Sequence, residues 1–227
     1  MIELLHICPA LVLERIHRDD GLQLNQFSDL AASVLRGAPA YQSTNRNIQY
    51  SSLSLFSDEN TVWTALSIAI KKAAKRAGFS DAYSGQFAGA IAELHDNIVE
   101  HSEHVVSGYV VFAATPGRFE FVVADKGVGV LEGLRNNPKY SDLSDAGLAL
   151  EKALTYGVSG TGIAGRGTGF KPTIEGLANI AHWMRFRSGD HVRSYLRDDI
   201  GEIEARTRQK VSIDGLVVSV SCDASMT

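Results

Sequence analysis

The stretch Glu93-Leu94-His95-Asp96-Asn97-Ile98-Val99-Glu100-His101 closes a segment, from about Ala82 to Ser102, in which Phe87, Ile91, Leu94 and Ile98 recur every three or four positions. That spacing is one face of an α-helix. Glu93 and Asn97, four positions apart, then stack on the same side of the helix, with His101 one turn further on. They fall at the border of the apolar stripe rather than opposite it, where a carboxylate and a carboxamide can face a groove. A carboxamide oxygen is a hard ligand of the kind magnesium accepts beside substrate phosphates. The carboxylate can orient or deprotonate a water or a hydroxyl. Taken alone, the same residues are equally the polar side of a surface helix.

On the N-terminal side, Val62, Leu66, Ala69, Ile70, Ala73 and Ala74 predict a second helix over Thr61–Ala77, with Gly78 as its stop. Ser57-Asp58-Glu59 offers it a cap and acidic first-turn residues. Leu53-Ser54-Leu55-Phe56 alternates as a short strand, and the polar run Tyr41 to Gln49 reads as a loop that sets off residues 1–50 as an extension. On the C-terminal side, Gly108–Ala114 and Phe119–Ala124 are rich in Val, Phe and Tyr around Thr115-Pro116-Gly117-Arg118, which predicts a β-hairpin. A glycine-rich break follows, then a helix capped by Asp142 or Ser144 and ending near Gly157, then a glycine-rich loop over Gly157–Gly169. Pro172 suits the first turn of a helix presenting Ile174, Leu177, Ile180 and Ala181. Short strands are predicted at Trp183–Arg187, Val192–Leu196 and Leu216–Val220. The expected fold is α+β, a two-layer sandwich of a mixed, mostly antiparallel sheet with helices on one face, formed by residues 51–227.

Two further stretches carry chemistry. Asp125-Lys126-Gly127-Val128-Gly129 follows the second hairpin strand directly. An Asp at a strand end can accept a hydrogen bond from the exocyclic amine of adenine, while flanking glycines permit turns and the close approach of a flat ring. The same residues alone also make an ordinary turn. Gly160-Thr161-Gly162-Ile163-Ala164-Gly165-Arg166-Gly167-Thr168-Gly169-Phe170 leads into a helix, so its backbone N–H groups can converge on phosphate oxygens. Arg166 can add a charged contact. It is not a P-loop, which needs Gly-Lys-Ser or Gly-Lys-Thr before the helix, and a linker that binds nothing is the alternative.

In order, the three stretches resemble the N box, the Asp-x-Gly-x-Gly first glycine box and the second glycine box of the GHKL ATPases, the superfamily of gyrase-type topoisomerases, heat-shock chaperones, mismatch-repair ATPases and histidine kinases. The resemblance covers about residues 53–196 and is best at 93–101, 125–129 and 165–170. It implies a histidine-kinase-type ATP-binding fold with ATP and Mg²⁺ as cofactors. By this likeness Glu93 is the general base, Asn97 the magnesium ligand and Asp125 the adenine-reading acid supported by Gly127 and Gly129. Gly165, Arg166, Gly167, Thr168 and Gly169 belong to a lid over the phosphates. His101 matches the end of the N box, or else is a histidine at the edge of the core.

The chain also departs from that pattern. His6 and His17 lack the helix that carries a phosphoacceptor histidine. The Gly-Thr-x-Phe of many histidine kinases is missing, although Arg187-Ser188-Gly189 preserves part of the preceding turn. There is no room for the second domain of gyrase-type enzymes. A stand-alone domain of this type is most similar to the anti-sigma-type serine kinases, which phosphorylate a partner protein. The expected functions are therefore ATP hydrolysis or phosphorylation of a regulatory protein partner, or a nucleotide-gated interaction module with negligible catalysis, or a scaffold without nucleotide.

Composition narrows the field. With 227 residues, 44% of them hydrophobic, the chain can bury a sizeable core. A net charge of −4 gives no electrostatic case for nucleic acid or a membrane surface. Arg185, Arg187, Arg193, Arg197, Arg206 and Arg208 cluster late, but Asp190, Asp198, Asp199, Glu202 and Glu204 interleave with them, which reads as a mixed solvated surface. Cys8 and Cys222 show neither metal spacing nor a disulfide framework. No run approaches the length of a membrane span, and a cytoplasmic protein is expected. A homodimer through Phe56, Trp63 or the N-terminal segment is compatible with the sequence.

Overall fold

The computed structural model of the chain describes residues 24–52, 60–101, 108–156, 175–198 and 201–226. Helix α1 spans Leu24–Leu35, strands β1 and β2 span Ala40–Gln42 and Ile48–Ser52, and helices α2 and α3 span Asn60–Arg76 and Asp81–His101. The hairpin β3 Tyr109–Thr115 and β4 Arg118–Ala124 follows, then the short α4 Gly129–Arg135, α5 Ala146–Tyr156, and the long strands β5 Ala181–Arg197 and β6 Ile203–Asp223. The fold is α+β around one six-stranded sheet of order β1-β2-β3-β4-β6-β5. Every neighbouring pair in it is antiparallel.

The helical spacing read from the sequence is the packing observed. Phe87, Ile91, Leu94 and Ile98 of α3 are buried, as are Leu66, Ile70, Ala73 and Ala74 of α2. They share one core with Phe112, Phe119, Phe121 and Val123 of the central hairpin and with Leu150 and Leu154 of α5. Phe87 stacks on Phe119 at 4.9 Å between ring centroids and meets Phe79 edge-on at 5.0 Å, arrangements that aromatic rings favour. Gly78, at φ +105°, ends α2 as expected, and the Phe79 N–H donates to the Ala74 carbonyl at 3.1 Å. The hairpin turn locks onto that helix end, because Gly117 N–H donates to the Ala77 carbonyl at 2.8 Å.

Successive residues of β3 are buried in alternate cores: Val110, Phe112 and Ala114 face α2 and α3, and Val111 and Ala113 join a second core with Leu30 and Ala31 of α1. A sheet covered on both sides selects apolar residues at successive positions, which is why β3 and β4 read as nearly unbroken hydrophobic runs. Among the described residues, α1 lies on the sheet face opposite α2 and α3, where the sequence suggests helices on one face.

The polar run at 41–49 is a hairpin rather than a loop. Ser43 Oγ accepts from the Ile48 N–H at 3.0 Å, Asn45 Oδ1 accepts from the Asn47 N–H at 3.1 Å, and Arg46 takes φ +57°. These side chains fix the reversal between β1 and β2, and β2 pairs with β3 from Ile48↔Ala113 to Ser52↔Tyr109. The strand expected at 53–56 lies outside the described residues.

Two other segments differ from expectation. The break after β4 holds α4, and α5 is capped by Asp145, whose Oδ1 accepts the Leu148 N–H at 2.6 Å, rather than by Asp142 or Ser144. The two short strands expected at 183–187 and 192–196 are one strand, β5, continuous through register shifts around Ser188–His191. Among the described residues no helix is long and apolar enough to cross a membrane.

Candidate functional site

Asp125 follows the last residue of β4, a strand flanked on both sides by others. It is 3% exposed, and a carboxylate so deeply buried needs compensating hydrogen bonds. Its backbone N–H donates to the Leu216 carbonyl of β6 at 3.0 Å, and its Oδ1 accepts the Gly127 N–H at 2.7 Å. The second bond folds the chain back over the aspartate and fixes the carboxylate's orientation, as Asp side chains do in turns.

Gly129 continues this turn at φ +77°, a conformation that glycine adopts without steric cost. A Cβ there would sit 2.7 Å from Ser188 Oγ. That hydroxyl accepts the Val130 N–H at 2.9 Å and donates to the Gly215 carbonyl at 2.8 Å. Gly215, at φ +72°, presses against Asp125 so closely that a Cβ would lie 2.1 Å from the Asp125 carbonyl oxygen. One buried serine on β5 therefore ties the entry of α4 to the bulge of β6, and that bulge supports Asp125. Ser188 and Gly215 were not among the site residues expected from sequence. Arg187-Ser188-Gly189 reads in sequence as part of a turn and Asp214-Gly215 carries a turn signal, but their convergence on Asp125 depends on pairings far apart in the chain.

Glu93 and Asn97 lie on α3 beside the buried Leu94 and Ile98, and both are half-buried at the border of the stripe. The Asn97 amide Nδ2 donates to the Glu93 backbone carbonyl at 2.7 Å. The nitrogen end of the carboxamide is thereby committed to the helix, and its oxygen is the end presented to a ligand. Next to them His95 stacks on Trp63 of α2 at 5.4 Å and bonds Asp96 Oδ1 through Nδ1 at 2.9 Å.

Helix α3 and strand β4 are linked in the chain through β3. α3 ends at His101, the chain re-enters the sheet at Tyr109, and Tyr109 pairs with Ala124, the residue before Asp125. Gly165, Arg166, Gly167, Thr168 and Gly169 lie outside the described residues. Among the described residues no group of three or more His, Cys, Asp or Glu side chains is placed to hold a metal. A magnesium on Asn97 would accordingly draw most of its ligands from phosphate oxygens and water, the usual manner for this ion.

Comparison of the chain with protein-family models, with curated proteins and with solved structures finds no match.

Proposed function

We propose that this protein binds ATP with magnesium at the end of its sheet, between the C-terminal half of α3 and the exit of β4, and that it acts as a regulatory ATPase or protein serine kinase. The observation that carries the proposal is Asp125. It is a buried carboxylate at the end of an interior strand, oriented by the Gly127 N–H and backed by Gly215. An oriented, buried acceptor of this kind suits the donating exocyclic amine of adenine better than the oxygen that guanine presents at that position. Asn97 would offer its carboxamide oxygen to magnesium, with Glu93 one turn before it on α3. Bound ATP would supply an activated phosphoryl group. Glu93 would orient or deprotonate the water or partner hydroxyl that receives it, and the Gly165–Gly169 stretch would supply backbone N–H groups to the phosphates.

The test is thermal melting with ATP, ADP and GTP, each with and without magnesium, followed by turnover measurements on Glu93→Gln. Stabilisation by adenine nucleotides alone, with turnover lost but the melting shift kept in Glu93→Gln, supports the whole reading. A shift that survives with no turnover in the wild type, alone or with candidate protein acceptors, reduces it to a nucleotide-gated interaction module. No shift with any nucleotide refutes it.

A further inference from the structure

The far half of the β5–β6 hairpin folds back on its own beginning. The Arg197 guanidinium donates to the Ala181 carbonyl, 16 positions earlier, at 3.3 Å, and also to the Ala178 carbonyl. The bend falls at the register shifts around Gly189, which takes φ +57°. Between the two halves lies a cavity of about 380 Å³, and none of the residues assigned to the nucleotide lines it. Met184 and Val192 form its buried floor, with Trp183 and Tyr195 among its walls.

The charge around this cavity is one-sided. Arg185, Arg206, Arg208 and Lys210 line it with a single carboxylate, Glu204. In sequence the basic and acidic residues alternate and suggest a mixed surface, but a strand sends alternate residues to opposite faces, so Arg206, Arg208 and Lys210 share one. Two neighbouring carboxylates are held by other partners. Glu151 pairs with Arg193 at 2.7 Å, and Asp190 bonds His191 at 2.8 Å and Gln209 at 2.9 Å. Glu204 itself pairs with Arg206. Among the described residues Arg208 and Lys210 make no ion pair.

We propose that this cleft is a second binding site, and that its ligand is an acidic peptide segment of a partner protein that inserts an apolar side chain between Trp183 and Tyr195. The apolar floor suits a side chain better than a bare phosphate. The rim supplies cations for flanking carboxylates, with Arg guanidinium groups suited to binding them in pairs. The cleft lies on β5, the terminal strand of the sheet, where an extended segment can run alongside. The net charge of −4 opposes the approach of a long polyanion such as a nucleic acid, but it acts much less on a short acidic segment that meets the positive face alone.

The test is fluorescence anisotropy of the full chain, without nucleotide, with a short labelled peptide repeating Glu-Glu-Leu. A Gln-Gln-Leu peptide and an oligothymidylate serve as the alternatives. Saturable binding of the acidic peptide is expected, weakening as salt is raised. It should fall at least about tenfold, or about 1.4 kcal/mol, in R208E/K210E, with R208Q/K210Q as the milder variant should charge reversal impair folding. Both positions are exposed, and unchanged melting temperatures would show that the fold is intact. Equal binding of the neutral peptide, no loss in either double variant, or preference for the oligothymidylate would each overturn the proposal. Because no nucleotide is present, failure here leaves the ATP reading untouched, and failure of the melts leaves this one untouched.

Discussion

Replacing Asp125 by Asn separates the turn it builds from the ligand it is proposed to read. The Gly127 N–H, now 2.7 Å from Oδ1, can donate equally well to an amide oxygen, so the reversal after β4 should survive. What changes is the other end of the side chain, where an acceptor becomes an N–H donor facing the donating amine of adenine. Losing a hydrogen bond to a charged acceptor inside a closed site costs roughly 2 kcal/mol, or about 30-fold in affinity. At ATP about 100 times the wild-type Kd, the wild type should gain about 2.7 kcal/mol. At the same concentration the variant would be at only about three times its own Kd and should gain about 0.8 kcal/mol. With roughly 2–4 °C per kcal/mol for a domain of this size, the melting shift falls from about 5–10 °C to about 2–3 °C. The assay is differential scanning fluorimetry of both proteins in ATP and magnesium, with their nucleotide-free melting temperatures as the control for folding. A full-sized ATP shift in Asp125→Asn would refute the adenine contact, whatever becomes of the rest of the site.

Further expectations follow from the same contacts. Ser188→Ala leaves the half-buried Val130 N–H without its acceptor and the Gly215 carbonyl without its donor, and should cost about 1–3 kcal/mol in urea unfolding. Gly215→Ala must displace a strand, because its Cβ would sit 2.1 Å from the Asp125 carbonyl oxygen at a φ of +72°; a loss of at least about 3 kcal/mol is expected in the same assay. Phe87→Ala removes a fully buried ring that touches two others and should cost about 3–5 kcal/mol. Cys222 gives a pH signature. Burial, reinforced by the charges of Asp223 and Glu120, pushes its thiol up to about 12. The folded protein then holds this proton more tightly than the unfolded chain does, so its contribution is intact below about pH 9 and shrinks as the pH rises towards 12. Stability of the wild type should fall through that window more steeply than that of Cys222→Ala, by up to about 1.4 kcal/mol per pH unit. Parallel curves would show that the thiol does not titrate differently in the two states.

The parts of this fold legible in the sequence are those whose signal is local. Phe87, Ile91, Leu94 and Ile98 repeat at the period of the helix they form, Gly78 stops α2 where a positive φ is needed, and Pro116-Gly117 marks the β3–β4 reversal. The edge hairpin β1–β2 was hidden because its polarity serves the turn. Ser43 and Asn45 satisfy the backbone of the reversal, and the same residues in a linker would look no different. The long β5–β6 arm reads in sequence as short strands because much of it is exposed, so charged residues interrupt the apolar runs that mark its buried half.

The site divides along the same line. Glu93 and Asn97 could be placed on one helix face from their spacing alone, and Asp125 at a strand end from the hydrophobic run before it. No local pattern could show that Ser188, 58 positions after Val130 and 27 before Gly215, holds both. That bridge depends on β6 lying between β4 and β5, an order set by the long-range pairing of the sheet. It also bears on what the glycines mean. Gly129 and Gly215 each have a packing reason to be glycine, since a Cβ would collide with Ser188 Oγ at one and with Asp125 at the other. These two glycines are therefore explained by packing before any nucleotide is invoked. The buried carboxylate of Asp125 carries the functional argument more directly. The turn bond to the Gly127 N–H uses its Oδ1, a bond that an Asn side chain makes equally well.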